Sequence, residues 1–377
     1  MMNIYLDHAA TSPVHTEVAS KMLDVLTGTY GNPSSIHSFG RDARRIVDEA
    51  RNTVAAALGA NFQDIVFTGS GTESDNMAIF GAARSQKPGH IITTAIEHHA
   101  VLHACKALHK DGFDVTYLPV NEQGIVSLEE VEKALREDTV LVTIMYGNNE
   151  VGSIQPIREI GQLLKDHPAL FHVDAVQAFG ILPIDVNELN VDLLSVSGHK
   201  INGPKGIGAL YVRQGTLLEP MLHGGEQERK RRAGTENTAA IAGMAEAVAI
   251  AEKTREARAA QYTEFKKTFT ETLAASGADF QVNSDLEQSL PHVLNLFFPG
   301  TDVEAFLVNL DMAGIAASSG SACTAGAIEP SHVLTAMFGA ESEKLRSSIR
   351  FSFGLNNTQE QIQQAAVQTA DIAKRLK

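Results

Sequence analysis

Short apolar runs alternate with helical patterns over the first 213 residues, and this alternation limits the chain to a few folds. Most of the runs are apolar on both faces, which is typical of strands covered by helices on both sides. The runs are DIVFTG (64–69), HIITTAI (90–96), FDVTYLPV (113–120), TVLVTIMYG (139–147), LFHVDAVQ (170–177), VDLLSVSG (191–198) and GIGALYVR (206–213). Helical patterns at 72–85, 99–110 and 127–137 lie between them. The alternation predicts an α/β domain with a mainly parallel sheet covered by helices.

The chain changes character after Gly234. Residues 235–277 are rich in Ala, Glu and Lys and predict one or two long helices. Three further strand candidates, at 292–300, 314–323 and 347–354, are each followed by a helical pattern. We therefore predict a large domain of residues 14–256 and a smaller C-terminal α/β domain of residues 257–377, with the N-terminal segment 1–13 packing near the smaller one.

Charge and cysteine content narrow the functional classes. The formal net charge of −14 argues against a general binder of nucleic acids or of anionic membranes, because such binders need a basic surface. The basic run ERKRR at 228–232 is interpreted as an approach to an active site or as part of a subunit seam. No apolar stretch reaches the roughly 18 residues of a membrane span. Two cysteines cannot build a disulfide framework and the N-terminus lacks a signal-peptide pattern, so we expect a cytoplasmic protein.

Polar and ionisable residues follow the predicted strands, at the edge where open α/β sheets bind ligands. In TGSGTES (68–74), small residues turn a strand into a helix. The N–H groups at that helix start, with the Thr72 hydroxyl, predict a phosphate cradle. The alternative is an ordinary strand–turn–helix connection in which the threonine caps the helix.

Lys200 follows the strand at 191–198 in the stretch SVSGHKINGPKGIG (195–208). A lysine desolvated in a crowded pocket has a lowered pKa and becomes a nucleophilic amine that can attack an aldehyde cofactor. The alternative is a solvated loop lysine. Lys205 lies between Pro204 and Gly206 in a predicted turn, and we assign it no chemical role.

An aspartate and a histidine complete this set. Asp174 ends an apolar run and either pairs with the protonated nitrogen of a pyridine cofactor or serves as a helix cap or internal salt-bridge partner. His98 in EHHAV (97–101) can stack on a cofactor ring and shuttle protons. His99 begins a helical pattern, and we assign it a capping role.

Long motifs accompany these residues across essentially the whole chain. They are YLDHAAT (5–11), GNPSSIHSFG (31–40), FTGSGTESDN (67–76), EHHAV, NNEVGSIQPI (148–157), HVDAVQ (172–177), SGHKINGPKGIG (197–208), RAGTEN (232–237), SSGSACTAG (318–326) and SSIRFSFG (347–354). With them the sequence resembles the fold-type-I enzymes that use pyridoxal phosphate, in the class V aminotransferase branch. Within that branch it is most similar to the cysteine desulfurases of the NifS/IscS type.

The resemblance implies that pyridoxal 5'-phosphate is the cofactor and that Lys200 holds it covalently through its amine. Asp174 would pair with the pyridine nitrogen and Gln177 would hydrogen-bond the ring hydroxyl oxygen. His98 would stack over the ring and act as the acid–base partner for the thiol protons. No metal is implied.

The resemblance also implies the phosphate and substrate contacts. The phosphate-binding residues would be Gly71, Thr72, Ser197 and His199. Thr235 would reach the phosphate held by the neighbouring subunit, which implies a homodimer. Asn149 would lie near the ring and the substrate carboxylate, and Arg350 would bind that carboxylate with its planar fork.

The implied reaction converts L-cysteine to L-alanine and transfers the sulfur to a protein thiol as a persulfide. That thiol would be Cys323, because Cys105 lies at an apolar position of a helical pattern, where a cysteine is usually inert. The sulfur would then pass to an acceptor protein, in iron–sulfur cluster assembly or in tRNA thiolation. The alternatives are a selenocysteine lyase, a class V transaminase and a catalytically idle protein on the same fold.

Overall fold

The structure is a computed structural model, and it describes residues 3–320 and 330–377. The strands are β1 (Ile4–Tyr5), β2 (Ile65–Thr68), β3 (His90–Thr94), β4 (Asp114–Leu118), β5 (Thr139–Thr143), β6 (Leu170–Asp174), β7 (Leu193–Ser197), β8 (Gly208–Val212), β9 (Gln281–Val282), β10 (Val293–Phe297), β11 (Ile315–Ala316) and β12 (Ser348–Ser352). The helices are α1 (Thr16–Gly28), α2 (Ser38–Ala57), α3 (Gly71–Arg84), α4 (His99–Lys110), α5 (Leu128–Ala134), α6 (Ile157–Leu163), α7 (Thr238–Ala275), α8 (Val303–Met312), α9 (His332–Phe338) and α10 (Gln359–Leu376).

The seven apolar runs of the first 213 residues form one sheet, in the order β2-β8-β7-β6-β5-β3-β4. Strand β8 runs antiparallel to both of its neighbours, and the other six strands run parallel to one another. The predicted α/β fold with a mainly parallel sheet is therefore confirmed. One apolar cluster packs α1, α2 and α7 against one face of the sheet, and a second packs α3 and α4 against the other. Burial on both faces explains why the runs show little alternation of apolar and polar residues.

A smaller unit follows, built on the antiparallel sheet β12-β10-β9. Its core consists of aromatic and aliphatic side chains from β10, β12, α7, α8 and α10. Ile4 and Leu6 belong to this core, and β1 pairs in parallel with β11, so the N-terminal segment packs on the smaller unit. The segment then passes the carboxyl ends of the strands of the large sheet. This path brings residues of the large sheet and of the smaller unit close together.

Helix α7 connects the two units as a single helix of 38 residues. Its residues 240–251 pack in the core of the large sheet, and its residues 262–273 pack in the core of the smaller one. The predicted domain limit between residues 256 and 257 falls between these two sets. It stays a prediction, because α7 crosses it without a break.

The predicted strands are longer than the observed ones. The run at 170–177 forms a strand only over Leu170–Asp174, because the chain turns away from the sheet after the aspartate. The run at 314–323 contributes only Ile315–Ala316, and its last three residues lie outside the described part of the chain. Among the described residues, no helix is both long enough and apolar enough to cross a membrane.

Candidate active site

A cavity of about 380 Å³ lies at the carboxyl ends of the parallel strands. The chain after β2, β3, β5, β6 and β7 contributes to its wall, together with the N-terminal segment and residues of the smaller unit. Its lining residues are Ala9, Ala10, Ser70, Gly71, Thr72, Asp75, His98, Met145, Gly147, Asn149, Asp174, Val176, Gln177, Ser197, His199, Lys200, Ser318, Gly320 and Arg350. The structure thus brings ten of the predicted site residues to one cavity. They are Gly71, Thr72, His98, Asn149, Asp174, Gln177, Ser197, His199, Lys200 and Arg350.

The start of α3 forms one end of the cavity. Ser70, and not the threonine, caps the helix: its hydroxyl accepts a hydrogen bond of 3.1 Å from the N–H of Glu73. The alternative of a threonine cap is therefore wrong, and the Thr72 side chain is open to the cavity. A Cβ on Gly71 would stand 2.8 Å from the side chain of Val176, so only glycine lets the helix start come this close. First-turn N–H groups have no partner within their helix, which makes this end suited to an anion.

Buried acids lie in the wall of the cavity and below it. Burial raises the pKa of Asp174 to about 6, although a hydrogen bond of 2.9 Å from the Val176 N–H and the charge of Lys200 act in the opposite direction. Burial, and then the negative charge of Asp174, also raise the pKa of Asp75. Burial raises the pKa of Glu97 to about 8. A positively charged neighbour, such as a protonated ring nitrogen, would favour the ionised carboxylate of Asp174.

Lys200 follows β7 in a short 3₁₀ turn, and its amine reaches across the cavity to the N-terminal segment. Its Nζ donates hydrogen bonds to the carbonyl oxygen of Ala9 and, at 2.9 Å, to that of Ala10. Burial, followed by the charge of Arg350, lowers its pKa to about 7. A far larger share of this amine is therefore uncharged and nucleophilic at neutral pH than in an ordinary lysine, whose pKa is about 10.4.

We expect the Lys200 amine of the cofactor-free protein to titrate near pH 7, being protonated below that value and uncharged above it. Reductive methylation with ¹³C-formaldehyde, followed by NMR across pH 5–11, measures this directly. The signal is assigned by its loss in Lys200→Ala. A Lys200 signal that kept its protonated shift up to about pH 10 would contradict the desolvated site.

His98 lies in the cavity wall and also caps α4, because its Nδ1 accepts a hydrogen bond of 3.1 Å from the N–H of Ala100. The capping role that we assigned to His99 is therefore wrong, since His99 is the first residue of the helix. The surrounding protein atoms, and then the charge of Lys200, lower the pKa of His98 to about 4, although its side chain stays open to solvent in the cavity. A neutral ring whose Nδ1 accepts must carry its proton on Nε2.

Gln177 and His199 line the cavity and form hydrogen bonds to the N-terminal segment. The amide nitrogen of Gln177 donates to the Ala9 carbonyl at 2.8 Å. His199 Nδ1 lies 3.2 Å from the Thr11 hydroxyl, and burial lowers the pKa of the His199 ring to about 4. Both side chains are uncharged at neutral pH, so they act as hydrogen-bonding groups.

Arg350, on β12, enters the cavity from the smaller unit. Its Nη2 binds the carboxylate of Asp7 at 2.7 Å and its Nη1 donates to the Asn149 carbonyl at 2.9 Å. Its Nε has no partner among the described residues. The side chain is only 4% exposed, so Arg350 is not a surface arginine. A substrate carboxylate at this guanidinium would compete with Asp7.

Two predicted residues are not placed in this cavity. Thr235 is exposed and does not line it, and the structure describes a single chain, so its contact with a second subunit stays a prediction. Cys323 lies outside the described residues 3–320 and 330–377. Cys105 is fully buried, which confirms its predicted apolar position, and burial raises its pKa to about 12.

Two residues of the basic run at 228–232 form ion pairs with helices of the large domain. Arg232 pairs with Glu73 at 2.8 Å, and Glu73 in turn accepts from the Gly69 N–H at the start of the cradle. Glu228 forms a buried ion pair of 2.6 Å with Arg51. The run therefore fixes the loop that leads to Thr235, in keeping with our interpretation that it lies beside the site.

Sequence reasoning missed Asp7, Asp75 and the carbonyls of Ala9 and Ala10. The motifs YLDHAAT and FTGSGTESDN contain these residues, so a signal was present. Glu97 is the first residue of EHHAV and was missed in the same way. The expectation that site residues follow predicted strands does not cover them. Asp75 lies on a helix, Asp7, Ala9 and Ala10 lie in the N-terminal segment, and Glu97 lies below the cavity.

The residues present fit pyridoxal 5'-phosphate. The Ser197 hydroxyl is buried beside Gly71 without a hydrogen-bond partner among the described residues, and a phosphate oxygen at the α3 start would supply one. The Asp174 carboxylate could pair with a protonated pyridine nitrogen at the opposite end. Lys200 supplies the nucleophilic amine between the two ends.

A mainly parallel sheet with this constellation at its carboxyl edge defines a fold-type-I enzyme that uses pyridoxal phosphate. The chain belongs to the aminotransferase class-V family, whose model matches residues 4–365. It is 61% identical to a Bacillus subtilis (strain 168) protein named "Putative cysteine desulfurase IscS 1", over all of both chains. A solved structure titled "NIFS-LIKE PROTEIN" superposes with a TM-score of 0.93 at 37% identity, over all of both chains. Another, titled "SspA in complex with cysteine", is 40% identical with a TM-score of 0.82 and covers 93% of this chain and 98% of its own.

Proposed function

We propose that this protein is a cysteine desulfurase: it uses pyridoxal 5'-phosphate to convert L-cysteine to L-alanine and transfers the sulfur to Cys323 as a persulfide. The observation that carries the proposal is the cavity in which a lysine of lowered pKa, a buried aspartate and a helix start converge. The full-length similarity to proteins named as cysteine desulfurases and to a structure of a relative in complex with cysteine supports the choice of substrate.

The cofactor would be held along the length of the cavity. Gly71, Thr72, Ser197 and His199 would bind its phosphate, Asp174 its ring nitrogen and Gln177 its ring oxygen, with His98 over the ring. When bound, the cofactor serves as the sink for the electron pair released at the substrate α-carbon. The chain supplies the proton transfers and holds the substrate.

Lys200 would remove the α-proton of the substrate. The carbonyl oxygens of Ala9 and Ala10 already accept hydrogen bonds from its amine, so they would hold the ammonium that forms when the proton arrives. His98 is neutral near pH 7, and its ring would accept a thiol proton at Nδ1, the one unprotonated nitrogen, once the Ala100 N–H has left that atom. Arg350 and Asn149 would fix the substrate carboxylate.

The sulfur transfer needs a thiolate from the protein. The Cys323 thiolate would attack the substrate sulfur, forming an S–S bond while the substrate C–S bond breaks and its electron pair passes to the substrate carbon. Protonation of that carbon then gives alanine, and no external oxidant is required. Cys105 is unsuited to this attack because burial keeps its thiol protonated.

We expect Arg350→Lys to raise the KM for L-cysteine about 10- to 100-fold, the loss expected for a charged hydrogen bond. A lysine carries the charge but cannot present two parallel N–H groups. Steady-state kinetics at several cysteine concentrations measures the change. Arg346→Lys, at an exposed position, is the matched control and should keep the wild-type KM. An unchanged KM in Arg350→Lys would exclude Arg350 from carboxylate binding.

A homodimer would complete the site through Thr235. Apolar side chains are exposed together between residues 23 and 39, and the most exposed of them are Ile36 at 91% and Tyr30 at 77%. Exposed apolar patches of this kind are typical of interfaces, so this segment and the exposed 234–235 turn would face a second copy.

We expect light scattering to give twice the chain mass of 40.5 kDa. Ile36→Glu should shift the protein toward the single-chain mass, because it places a charge in the proposed interface. Val308→Glu, at another exposed apolar position, is the matched control and should leave the mass unchanged. A wild-type protein with the mass of one chain would contradict the dimer.

The sulfur acceptor would be a protein of iron–sulfur cluster assembly or of tRNA thiolation. The relatives named IscS favour the first of these. A cytoplasmic location and the lack of direct nucleic-acid binding stay predictions from charge and cysteine content.

The substrate preference separates this proposal from its rivals on the same fold. We expect the cofactor-loaded protein to consume L-cysteine without any 2-keto acid. Amino transfer that depends on a 2-keto acid would assign a transaminase instead. Activity confined to L-selenocysteine, and retained in Cys323→Ala, would assign a selenocysteine lyase.

A further inference from the structure

A second histidine stands directly behind the cavity, on the far side of Gln177. His292 precedes β10 and is 7% exposed, so it is shut off from solvent. Its Nε2 lies 3.2 Å from the amide oxygen of Gln177. His292 is the first residue of the strand candidate at 292–300 but belongs to none of the long motifs, and it does not line the cavity.

The hydrogen bonds of Gln177 fix which way its amide points. Its nitrogen lies 2.8 Å from the Ala9 carbonyl oxygen, and a carbonyl oxygen can only accept. The amide oxygen must therefore face His292, and only an N–H group can satisfy it there. It follows that the proton of the His292 ring is on Nε2. The Nδ1 atom is buried without a partner among the described residues, as expected for the unprotonated nitrogen.

The surroundings of His292 favour this neutral form. Burial, and then the positive charges of Lys266, Lys200 and Arg258, lower the pKa of the ring to about 3. Lys266 fixes the loop that carries His292: its amine donates hydrogen bonds of 2.9 Å to the Ser289 hydroxyl and to the Leu290 carbonyl. The ring is therefore a fixed, uncharged donor.

We propose that His292 is a positioning residue that locks the Gln177 amide so that its remaining N–H points into the cavity, toward the oxygen atom on the cofactor ring. Without His292, the Ala9 carbonyl alone would hold the amide, and the amide oxygen would lose its donor, so the N–H that faces the cavity would be less firmly oriented. The inference rests on the proposed function, since it assigns a supporting residue to the same cofactor site.

The hydrogen bond itself is testable in the cofactor-free, full-length protein. Long-range ¹H–¹⁵N NMR of histidine-labelled protein distinguishes the two tautomers, and the His292 signals are assigned by their loss in His292→Gln. We expect a neutral ring protonated on Nε2 across pH 5–8. A ring protonated on Nδ1, or a charged ring, would overturn the proposal whether or not the protein binds the cofactor.

The coupling to the cofactor is tested by a double-mutant cycle. His292→Leu should weaken cofactor binding about tenfold and shift the visible absorbance band of the cofactor. The reason is that the buried hydrogen bond from His292 to Gln177, which supports the contact of Gln177 with the cofactor ring, is lost. His292→Gln retains an N–H donor and should restore most of the affinity. In a Gln177→Leu background, His292→Leu should have no further effect.

An equal loss of affinity from His292→Leu in both backgrounds would show a merely structural role and overturn the proposal. Thermal unfolding of each variant confirms that the comparison is made on folded protein. A wild-type protein that bound no cofactor would refute the proposed function and the role of His292 at the cofactor, while the NMR experiment would still report on the Gln177 contact.

Discussion

Replacing Lys200 by alanine should abolish alanine formation from L-cysteine. The amine would hold the cofactor and remove the α-proton, and its pKa of about 7 suits both tasks near neutral pH. We expect the rate to fall at least about 10³-fold, since a covalent attachment and a general base are lost together. The absorbance band of the covalently bound cofactor should disappear from the purified protein, and both effects are measured on the same sample.

Lys205→Ala is the matched control for this variant. Lys205 is five residues away, is exposed and does not line the cavity. Its loss should change neither the spectrum nor the rate. Full activity in Lys200→Ala, or equal losses in the two variants, would remove Lys200 from the chemistry.

Replacing Cys323 by alanine should separate cofactor chemistry from sulfur transfer. The variant should bind pyridoxal phosphate with the wild-type spectrum, because the cofactor residues are unchanged. Alanine release should fall at least about 10²-fold, since an external thiol must replace a nucleophile that the protein positions. Mass spectrometry after incubation with L-cysteine should find no persulfide on the variant.

Cys105→Ala is the matched control here, because it leaves the other thiol of the chain in place. It should retain the persulfide and most of the activity, with some loss of stability from the cavity it creates in a packed helix. Persulfide found in Cys323→Ala at the wild-type level would assign the sulfur transfer to another group.

Much of the fold could be predicted from the sequence because β-branched apolar runs and helical patterns alternate in a regular way. The order of strands in the sheet could not, because it depends on which runs meet in space. The antiparallel β8 illustrates this: its sequence, GIGALYVR, is as apolar as that of its parallel neighbours. The long helix α7 was predicted, but not that it would remain unbroken while it passes from one core to the other.

The site was predictable where a candidate side chain lies at the end of a strand or just beyond it, as with Asp174 and Lys200. It was not predictable where function depends on contacts between distant segments. Asp7 meets Arg350 across 343 positions of the chain, and His292 meets Gln177 across 115. Neighbouring residues can also exchange roles: His98 caps its helix and lines the cavity, whereas sequence pattern had divided these roles between His98 and His99.

The product assay on the wild-type protein tests the proposed function most directly. The cofactor-loaded protein is incubated with L-cysteine and a thiol reductant, without any 2-keto acid, and alanine and sulfide are measured together. We expect the two products in equal amounts, each exceeding the amount of enzyme. Formation of pyruvate and ammonia in place of alanine, or no release of sulfide, would contradict the assignment as a cysteine desulfurase.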